Sequence, residues 1–160
     1  MKTAWTDDLS VGNGMIDADH LILFGLINGV EHAIESGDCA AVKQALELLD
    51  GRLRTHFQNE EGIANAIKYP FAQHKQAQQY LLEELGYLRN ELIGKAGLWC
   101  GAAVEHYSDL LRGLLIDHIT SKDMLMKPVL QGYPYGLTAA KQEQGFAQNA
   151  SGYGEERHAR

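Results

Sequence analysis

Residues 38–67, DCAAVKQALELLDGRLRTHFQNEEGIANAI, decide the fold, because apolar side chains recur there in alternating steps of three and four. That period places one side of an α-helix against a core. Asp38 stands at the start and can cap the helix through its carboxylate. The positions on the buried side are Val42, Ala45, Leu49, Leu53, His56, Glu60, Ile63 and Ile67. The stretch therefore predicts a long amphipathic helix with two polar residues on its apolar side.

The same period appears in three further segments. The first begins near Asp17 and ends at Ser36-Gly37, where glycine can adopt the left-handed conformation that closes a helix. Tyr69-Pro70 precedes another, since proline is tolerated in a first helical turn. Gly94-Lys95-Ala96-Gly97 is a predicted turn before the last. The three apolar stripes are Leu23, Phe24, Ile27, Val30 and Ile34; Phe71, His74, Gln78, Leu81, Leu85, Leu88 and Leu92; and Val104, Tyr107, Leu111, Leu114 and His118. The chain is therefore predicted to be all-α, an antiparallel up-down four-helix bundle.

The two ends of the chain differ from the helical part. Residues 1–16 contain Gly12 and Gly14 and predict an N-terminal arm across the bundle, with Trp5 as its apolar anchor. Residues 131–160 are rich in Gly, Gln and Ala and predict a weakly structured C-terminal tail or linker. The predicted domain organisation is therefore a bundle over residues 1–130 followed by a tail over 131–160.

Composition excludes several classes of partner. The chain has 160 residues, 45% of them hydrophobic, and a formal net charge of −7, which suits one globular domain and argues against a nucleic-acid surface. No apolar run approaches the roughly 20 residues of a membrane span. The first eight residues lack the apolar segment of a secretory signal. Cys39 and Cys100 fit no metal-binding spacing, so we expect free thiols in a cytoplasmic protein, with a disulfide as the less favoured alternative.

Polar residues occupy positions on the apolar stripes where leucine or isoleucine would be expected. They are His20, His56, Glu60, His74, Gln78 and His118. A buried polar group without a partner costs about 1–3 kcal/mol, so these groups must bind each other or something else. Histidines and carboxylates that converge from four helices are how such bundles build metal sites. Imidazole suits iron, zinc and copper, and carboxylates can bridge two ions.

Asp123 is a further candidate, although its spacing does not suit a regular helix. It follows His118 by five residues, which turns it by roughly 140° around a helix axis. If both residues reach one site, the fourth helix must carry a π-bulge, loosen or end between them.

An ordered set of short motifs resembles the bacterial hemerythrins, from Trp5 to about Leu130. The motifs are Ile16-Asp17-Ala18-Asp19-His20, Leu23-Phe24, Ile27-Asn28, His56-Phe57-Gln58-Asn59-Glu60-Glu61, Tyr69-Pro70 with His74, and His118-Ile119 with Asp123. Each motif alone is weak evidence. Their order and the intervals between them carry the resemblance.

The resemblance implies two iron ions, which occur as Fe2+ or Fe3+, with an oxo or hydroxo bridge between them. The protein ligands that it implies are His20, His56, Glu60, His74, His118 and Asp123. The first two histidines would bind the iron that keeps an open position for dioxygen, and the last two the other iron. Both carboxylates would bridge the ions. Phe24, Phe57, Leu114 and Ile119 are candidates for lining a dry pocket around that position.

One position departs from the family's pattern. The family has a histidine four residues after His74, and this chain has Gln78. Three outcomes are open: Gln78 ligates through its carbonyl oxygen, water fills the position, or the second iron binds weakly. A second open position would ease oxidation. This favours a sensor of dioxygen or redox state, with nitric oxide as an alternative ligand.

Residues next to the candidate ligands receive other roles. Asp17 is predicted to cap the first helix or to orient His20 rather than to bind metal. Glu61 points about 100° away from Glu60 and is predicted to face solvent or another helix. His32, His106 and His158 are predicted to lie outside the site.

The leading functional hypothesis is a binding or sensor domain, not an enzyme, with the tail suited to connect a signalling output domain. A stand-alone dioxygen carrier or store is the alternative within the same class. A di-iron oxidase or peroxidase ranks below it, because ferritin-like oxidases use paired Glu-x-x-His motifs. The sequence has such a motif only at Glu155 and His158, in the tail. A bundle that merely stores iron or zinc ranks third.

Overall fold

A computed structural model describes residues 5–95, 97–99 and 101–139. Within these ranges the long helices are α1 Gly14–Ser36, α2 Cys39–Ala66, α3 Ala72–Gly94 and α4 Gly101–Ser121. Helices α1 and α3 each pack against both α2 and α4. Short 3-10 helices cover Asp7–Leu9 and Asp123–Met126, and a last short helix, α5, spans Lys127–Leu130. This confirms the predicted all-α four-helix bundle.

The junction between α1 and α2 forms as its sequence predicts. Gly37 has a φ of 70°, in the left-handed region that favours glycine, and ends α1. Asp38 caps α2, since its Oδ1 accepts hydrogen bonds from the amides of Ala40 (2.8 Å) and Ala41 (3.2 Å). The predicted turn after Gly94 lies between α3 and α4, although Ala96 and Cys100 lie outside the described residues.

Helix α1 starts earlier than predicted, and the predicted cap is wrong. Asn13, not Asp17, is the capping residue: its Oδ1 accepts hydrogen bonds from the amides of Met15 (3.0 Å) and Ile16 (3.1 Å). Asp17 lies inside the first turn of a helix that begins at Gly14. Asparagine and aspartate cap helices about equally well, so tertiary contacts decided between the two positions.

Helix α4 ends between His118 and Asp123, which is one of the three alternatives that the spacing allowed. The last α-helical residue is Ser121. Lys122 has a φ of −124° and a ψ of −62°, outside the helical region, and the 3-10 helix begins at Asp123. Because the backbone changes course there, the Asp123 side chain turns inward and is 1% exposed.

In the described part of the chain, the apolar core forms two clusters along the bundle. The smaller cluster lies where α1 and α3 begin and α2 ends, and it contains Val11, Ile16, Ile63, Ala64, Ile67, Phe71, Met126 and Leu130. The larger cluster fills the rest and includes Leu23, Phe24, Leu53, Phe57, Leu81, Leu115 and Ile119. The polar positions come between the two in every helix: Ile16, His20 and Leu23 follow one another in α1, for example. The polar residues therefore form a layer between two apolar blocks.

The N-terminal arm runs along both clusters, with Trp5 and Leu9 against the larger one and Val11 in the smaller one. Leu137 of the C-terminal segment packs against the smaller cluster. The Trp5 ring lies 5.8 Å from the His20 ring and 6.5 Å from Phe24, centroid to centroid, as expected of an anchored arm. The Gly14 amide donates a hydrogen bond to the Tyr135 carbonyl oxygen (2.7 Å). A β-carbon at position 14 would lie 2.9 Å from the Tyr135 ring, so glycine is required for this approach. Residues 140–160, which include Glu155 and His158, lie outside the described residues.

Two further predictions concern membrane-spanning helices and the cysteines. No helix in the described part of the chain is long and apolar enough to cross a membrane. Cys39 is an exposed free thiol, whereas Cys100 lies outside the described residues.

Candidate metal centre

The seven residues singled out from the sequence lie together in one buried layer. Helices α1 and α4 each contribute a histidine, α2 and α3 each contribute a pair of residues one turn apart, and the 3-10 helix contributes the aspartate. None of the seven is more than 6% exposed. They are His20, His56, Glu60, His74, Gln78, His118 and Asp123. The bundle therefore brings together side chains that are up to 103 positions apart in the sequence, from 20 to 123.

Among the described residues, six of these side chains form two overlapping groups with the spacing of metal ligands. One group is His20, His56, Glu60 and Asp123. The other is Glu60, His74, His118 and Asp123. In each group the donor atoms lie within 4.8 Å of one another. Glu60 and Asp123 belong to both groups, so the arrangement is that of two adjacent cation positions with shared carboxylates. We call them the His20/His56 half-site and the His74/His118 half-site.

The donor atoms lie close together without bonding one another. The Nε2 atoms of the four histidines are buried and have no hydrogen-bond partner within the described part of the chain. The same holds for both Asp123 oxygens, although they lie 3.0 Å from His20 Nε2, 2.9 Å from His74 Nε2 and 3.2 Å from His118 Nε2. Buried polar atoms are normally paired. Buried nitrogen and oxygen atoms that converge on one space, but are not oriented to hydrogen-bond one another, are suited to bind metal ions in that space.

The electrostatics of the layer favour positive charge. Burial lowers the pKa of His74, but contacts with Asp123 and Glu60 outweigh burial and raise it to about 9. Burial also lowers the pKa of His56, and the charge of Glu60 and a contact with Asp19 outweigh it, so the pKa is raised. Burial raises the pKa of Asp123, yet the surrounding imidazoles, first among them His118, hold it well below its usual range. Protons or metal cations can supply this positive charge.

Asp19 is a neighbour of the layer whose contact with His56 the sequence analysis missed. Its Oδ2 lies 3.4 Å from His56 Nδ1 and accepts a hydrogen bond from Asn59 Nδ2 (2.9 Å), while Oδ1 pairs with Arg52. Burial raises the pKa of Asp19, but these partners outweigh burial and lower the pKa to about 2. A carboxylate behind a ligating imidazole fixes the orientation of the ring and leaves Nε2 for the metal. The sequence did contain a signal for this contact, because the spacing of Arg52, His56 and Asn59 places all three partners of Asp19 on one face of α2.

Asp17 does not orient His20, so that prediction is wrong. Its carboxylate instead accepts hydrogen bonds from Ser10 Oγ (2.6 Å), the Val11 amide (2.9 Å) and Tyr135 Oη (3.1 Å). The Nδ1 atom of His20 is buried without a hydrogen-bond partner among the described residues. Asp17 therefore joins the N-terminal arm and the C-terminal segment to α1.

Gln78 contacts a carboxylate of the layer. Its Nε2 donates a hydrogen bond to Glu60 Oε2 at 2.8 Å. The same Glu60 oxygen lies 3.5 Å from both His56 Nε2 and His74 Nε2. The neighbouring Glu61 points away and pairs with Lys75 across α2 and α3 at 2.7 Å, which confirms its predicted inter-helix role.

Apolar side chains surround the layer. The Phe57 ring lies 5.5 Å from the rings of both His56 and His118, and Phe71 stacks on His74 at 4.5 Å. Of the predicted lining residues, Phe24, Phe57 and Ile119 are buried, and Leu114 packs against the same cluster while partly exposed. His32 is exposed and pairs with Glu35, so it lies outside the site as predicted. The arrangement excludes bulk water from the donors, which strengthens their interaction with a cation.

Fold and site together define a class: an α-helical bundle domain whose core presents histidines and shared carboxylates to cations. Residues 11–131 match the family described as hemerythrin HHE cation binding domain. A bacteriohemerythrin of Stenotrophomonas maltophilia is 30% identical over 124 residues, which cover 74% of this chain and 75% of the relative. Bacteriohemerythrins of Pseudomonas aeruginosa and Pseudomonas paraeruginosa are 28% identical with the same coverage. No solved structure matches significantly. The chain belongs to the hemerythrin family.

Proposed function

We propose that this domain holds two iron ions in the buried layer and binds dioxygen there, as a sensor of dioxygen or redox state. Nitric oxide is the alternative ligand at the same position. The proposed ligands are His20, His56, Glu60, His74, His118 and Asp123. The domain acts by binding and not as an enzyme.

The observation that carries the proposal is the pair of overlapping donor groups that share Glu60 and Asp123. A single cation would leave two imidazoles buried without partners, which is costly in an apolar interior. Two cations give every orphaned Nε2 atom a partner, and the shared carboxylates offset the charge between the ions. Bound as a ferrous pair, the ions supply the electrons that dioxygen takes up on binding.

The chain's own residues orient the ligands and keep water away. Asp19 fixes the His56 ring through Nδ1 so that Nε2 faces the layer. Trp5 covers His20 from the arm. Phe57 lies between the two half-sites, against His56 on one side and His118 on the other. A dry pocket of this kind slows the loss of charged oxygen species to solvent.

The short path along the chain from Asp123 to the C-terminal segment, and the contacts of that segment with the start of α1, support a sensing role. Asp123 opens the 3-10 helix, α5 follows it, and residues 135–137 then bind the start of α1. Tyr135 Oη donates to Asp17, and Asn13 Nδ2 donates to the Leu137 carbonyl oxygen (3.0 Å). In the proposed organisation, residues 1–130 are the hemerythrin domain and residues 131–160 connect it to a signalling output. A ligand-dependent change at Asp123 would reach that connection through residues 124–130, which form two short helical segments.

The first test is the iron content per chain, measured together with the visible spectrum of the reduced protein before and after air. Two irons per chain, with a charge-transfer band that appears on oxygenation and fades as the site autoxidises, would support the proposal. One iron or none, without such a band, would contradict it. The matched control is the variant His32→Ala, which removes an exposed histidine of α1 outside the layer and should leave the iron content and the spectrum unchanged.

The sensing role has a separate test. Hydrogen exchange of residues 131–139 is compared between the reduced and the oxygenated protein. A change in protection of this segment on oxygenation is expected, and identical protection in both states would favour a carrier or store instead. Steady turnover of peroxide or of an added reductant would point to an oxidase or peroxidase.

A further inference from the structure

Gln78 belongs to the buried layer but to neither half-site. It is 5% exposed and lies one turn after His74 on α3. Its amide is turned toward Glu60 instead, with Nε2 at 2.8 Å from Oε2. A buried amide at this position must have a function other than apolar packing, since burying it unpaired would be costly.

The chemistry of the amide decides which of its atoms faces Glu60. An ionised carboxylate only accepts hydrogen bonds, and of the two amide atoms only the nitrogen donates. The nitrogen therefore faces Glu60 whichever way the amide is drawn. Glutamine binds a cation through its carbonyl oxygen, and that oxygen is not the atom at Glu60. The contact made by Gln78 is thus a hydrogen bond to a shared ligand.

The half-sites consequently match in their donors. Among the described residues, each has two imidazoles together with Glu60 and Asp123. A histidine at position 78 would give the His74/His118 half-site a third imidazole. With Gln78 committed to Glu60, each half-site offers four protein residues, which leaves a position for an external ligand on an ion that takes five or six donors.

We propose that Gln78 is a positioning residue that holds the shared carboxylate of Glu60, and that the His74/His118 half-site therefore takes a small external ligand. The ligand class is water or a small anion. Each of the two cations then has an exchangeable position, rather than one cation alone. The inference rests on the proposed function, because it assumes that the layer holds two ions.

Cobalt(II) and azide test this inference without dioxygen chemistry. The full chain, freed of metal, is titrated with cobalt(II), and the loaded protein is then titrated with azide. The d–d spectrum reports how many cobalt ions bind, how many ligands each has, and how many bind azide. The variants are Gln78→Leu, which removes the hydrogen bond, and Gln78→His, which adds an imidazole. Gln79→Leu is the matched control, since Gln79 is exposed on the same helix.

The wild-type chain is expected to bind two cobalt ions and two azide ions. Gln78→Leu should keep both stoichiometries while both cobalt affinities fall together, by about tenfold, because Glu60 is shared and supporting residues typically carry effects of this size. Gln78→His should bind two cobalt ions but only one azide ion. Gln79→Leu should behave as the wild type, and circular dichroism checks that each variant is folded.

Other outcomes overturn the inference in distinguishable ways. A Gln78→Leu variant that loses affinity for one cobalt ion only would make Gln78 a ligand of that ion. One azide ion per wild-type chain, or two per Gln78→His chain, would show that the residue does not set the exchangeable position. A folded wild-type chain that binds neither cobalt nor iron would overturn the proposed function together with this inference.

Discussion

The two half-sites have the same donor types but different supports. His20 and His56 are fully buried, and a charged network of Asp19, Arg52 and Asn59 stands behind one of them. His74 and His118 are 4% and 6% exposed and have aromatic neighbours, as His20 and His56 do, but no carboxylate contacts their Nδ1 atoms among the described residues. A surface cavity of about 330 Å³ borders His74.

The number of ligands alone does not define a metal position, because the groups behind the ligands also differ. A carboxylate behind an imidazole fixes its ring by a directional contact and raises its basicity, whereas a stacked ring only restricts it sterically. The His20/His56 half-site is therefore expected to hold its ion more tightly. The His74/His118 half-site is expected to exchange its ion and its external ligand more readily.

The largest effect should come from the carboxylate that both half-sites share. Asp123→Asn preserves the shape of the side chain but removes the charge that lies within 3.2 Å of three imidazole nitrogens. We expect iron content to fall from two ions to fewer than one per chain, with the helical circular dichroism spectrum retained. Metal analysis after anaerobic loading measures it. Retention of two ions would show that Asp123 is not a bridging ligand.

The next effect should separate the half-sites. His56→Ala and His118→Ala each remove one imidazole from one group. Each variant is expected to lose one ion and keep the other, and the ion retained by His118→Ala should be the more tightly bound. Competition with a chelator measures the two affinities. Loss of both ions in both variants would mean that the half-sites cannot be filled independently.

A smaller effect is expected from the support of the tighter half-site. Asp19→Asn weakens the contact with His56 Nδ1 and should lower the affinity of one ion by about tenfold, leaving the other unchanged. Chelator competition again measures the change. Asp117→Asn is the control, because Asp117 is exposed on α4. Equal losses at both ions would place the influence of Asp19 on the whole layer.

The smallest effect should lie outside both half-sites. Tyr135→Phe removes one hydrogen bond to Asp17 and should lower the free energy of unfolding by about 1 kcal/mol. Denaturant unfolding of the metal-free chain measures it. Tyr133→Phe serves as control. Equal free energies of unfolding for Tyr135→Phe and the wild type would show that this hydrogen bond does not stabilise the fold.

Most of the fold was predictable because it follows from local periodicity. Polar residues that interrupt an apolar stripe also identified the ligand candidates, since burial without partners is unfavourable wherever the helices pack. The angular spacing of His118 and Asp123 predicted that regular helix stops between them, without deciding among a π-bulge, a loosened helix and the end of α4 that the structure shows. Each of these inferences uses only the spacing of residues within a single helix.

What the sequence did not predict depends on contacts between distant segments. Asn13 replaces Asp17 as the cap, and Asn13 also binds Leu137, 124 positions away. Asp19 was missed because its partners lie on another helix, 33 to 40 positions further along. The direction of the Gln78 amide depends on where α2 places Glu60. Each of these depends on tertiary packing, which periodicity does not encode.

The late position of Asp123 has a consequence for biosynthesis. A chain that emerges from the ribosome completes α1, α2 and α3 before this residue is made, and domains tend to fold from the N-terminus during synthesis. On the proposed ligand assignment, no cation position is complete until residue 123 has emerged and α4 has docked. The nascent chain therefore has only part of each donor set until then, and tight binding of both ions becomes a mark of finished assembly.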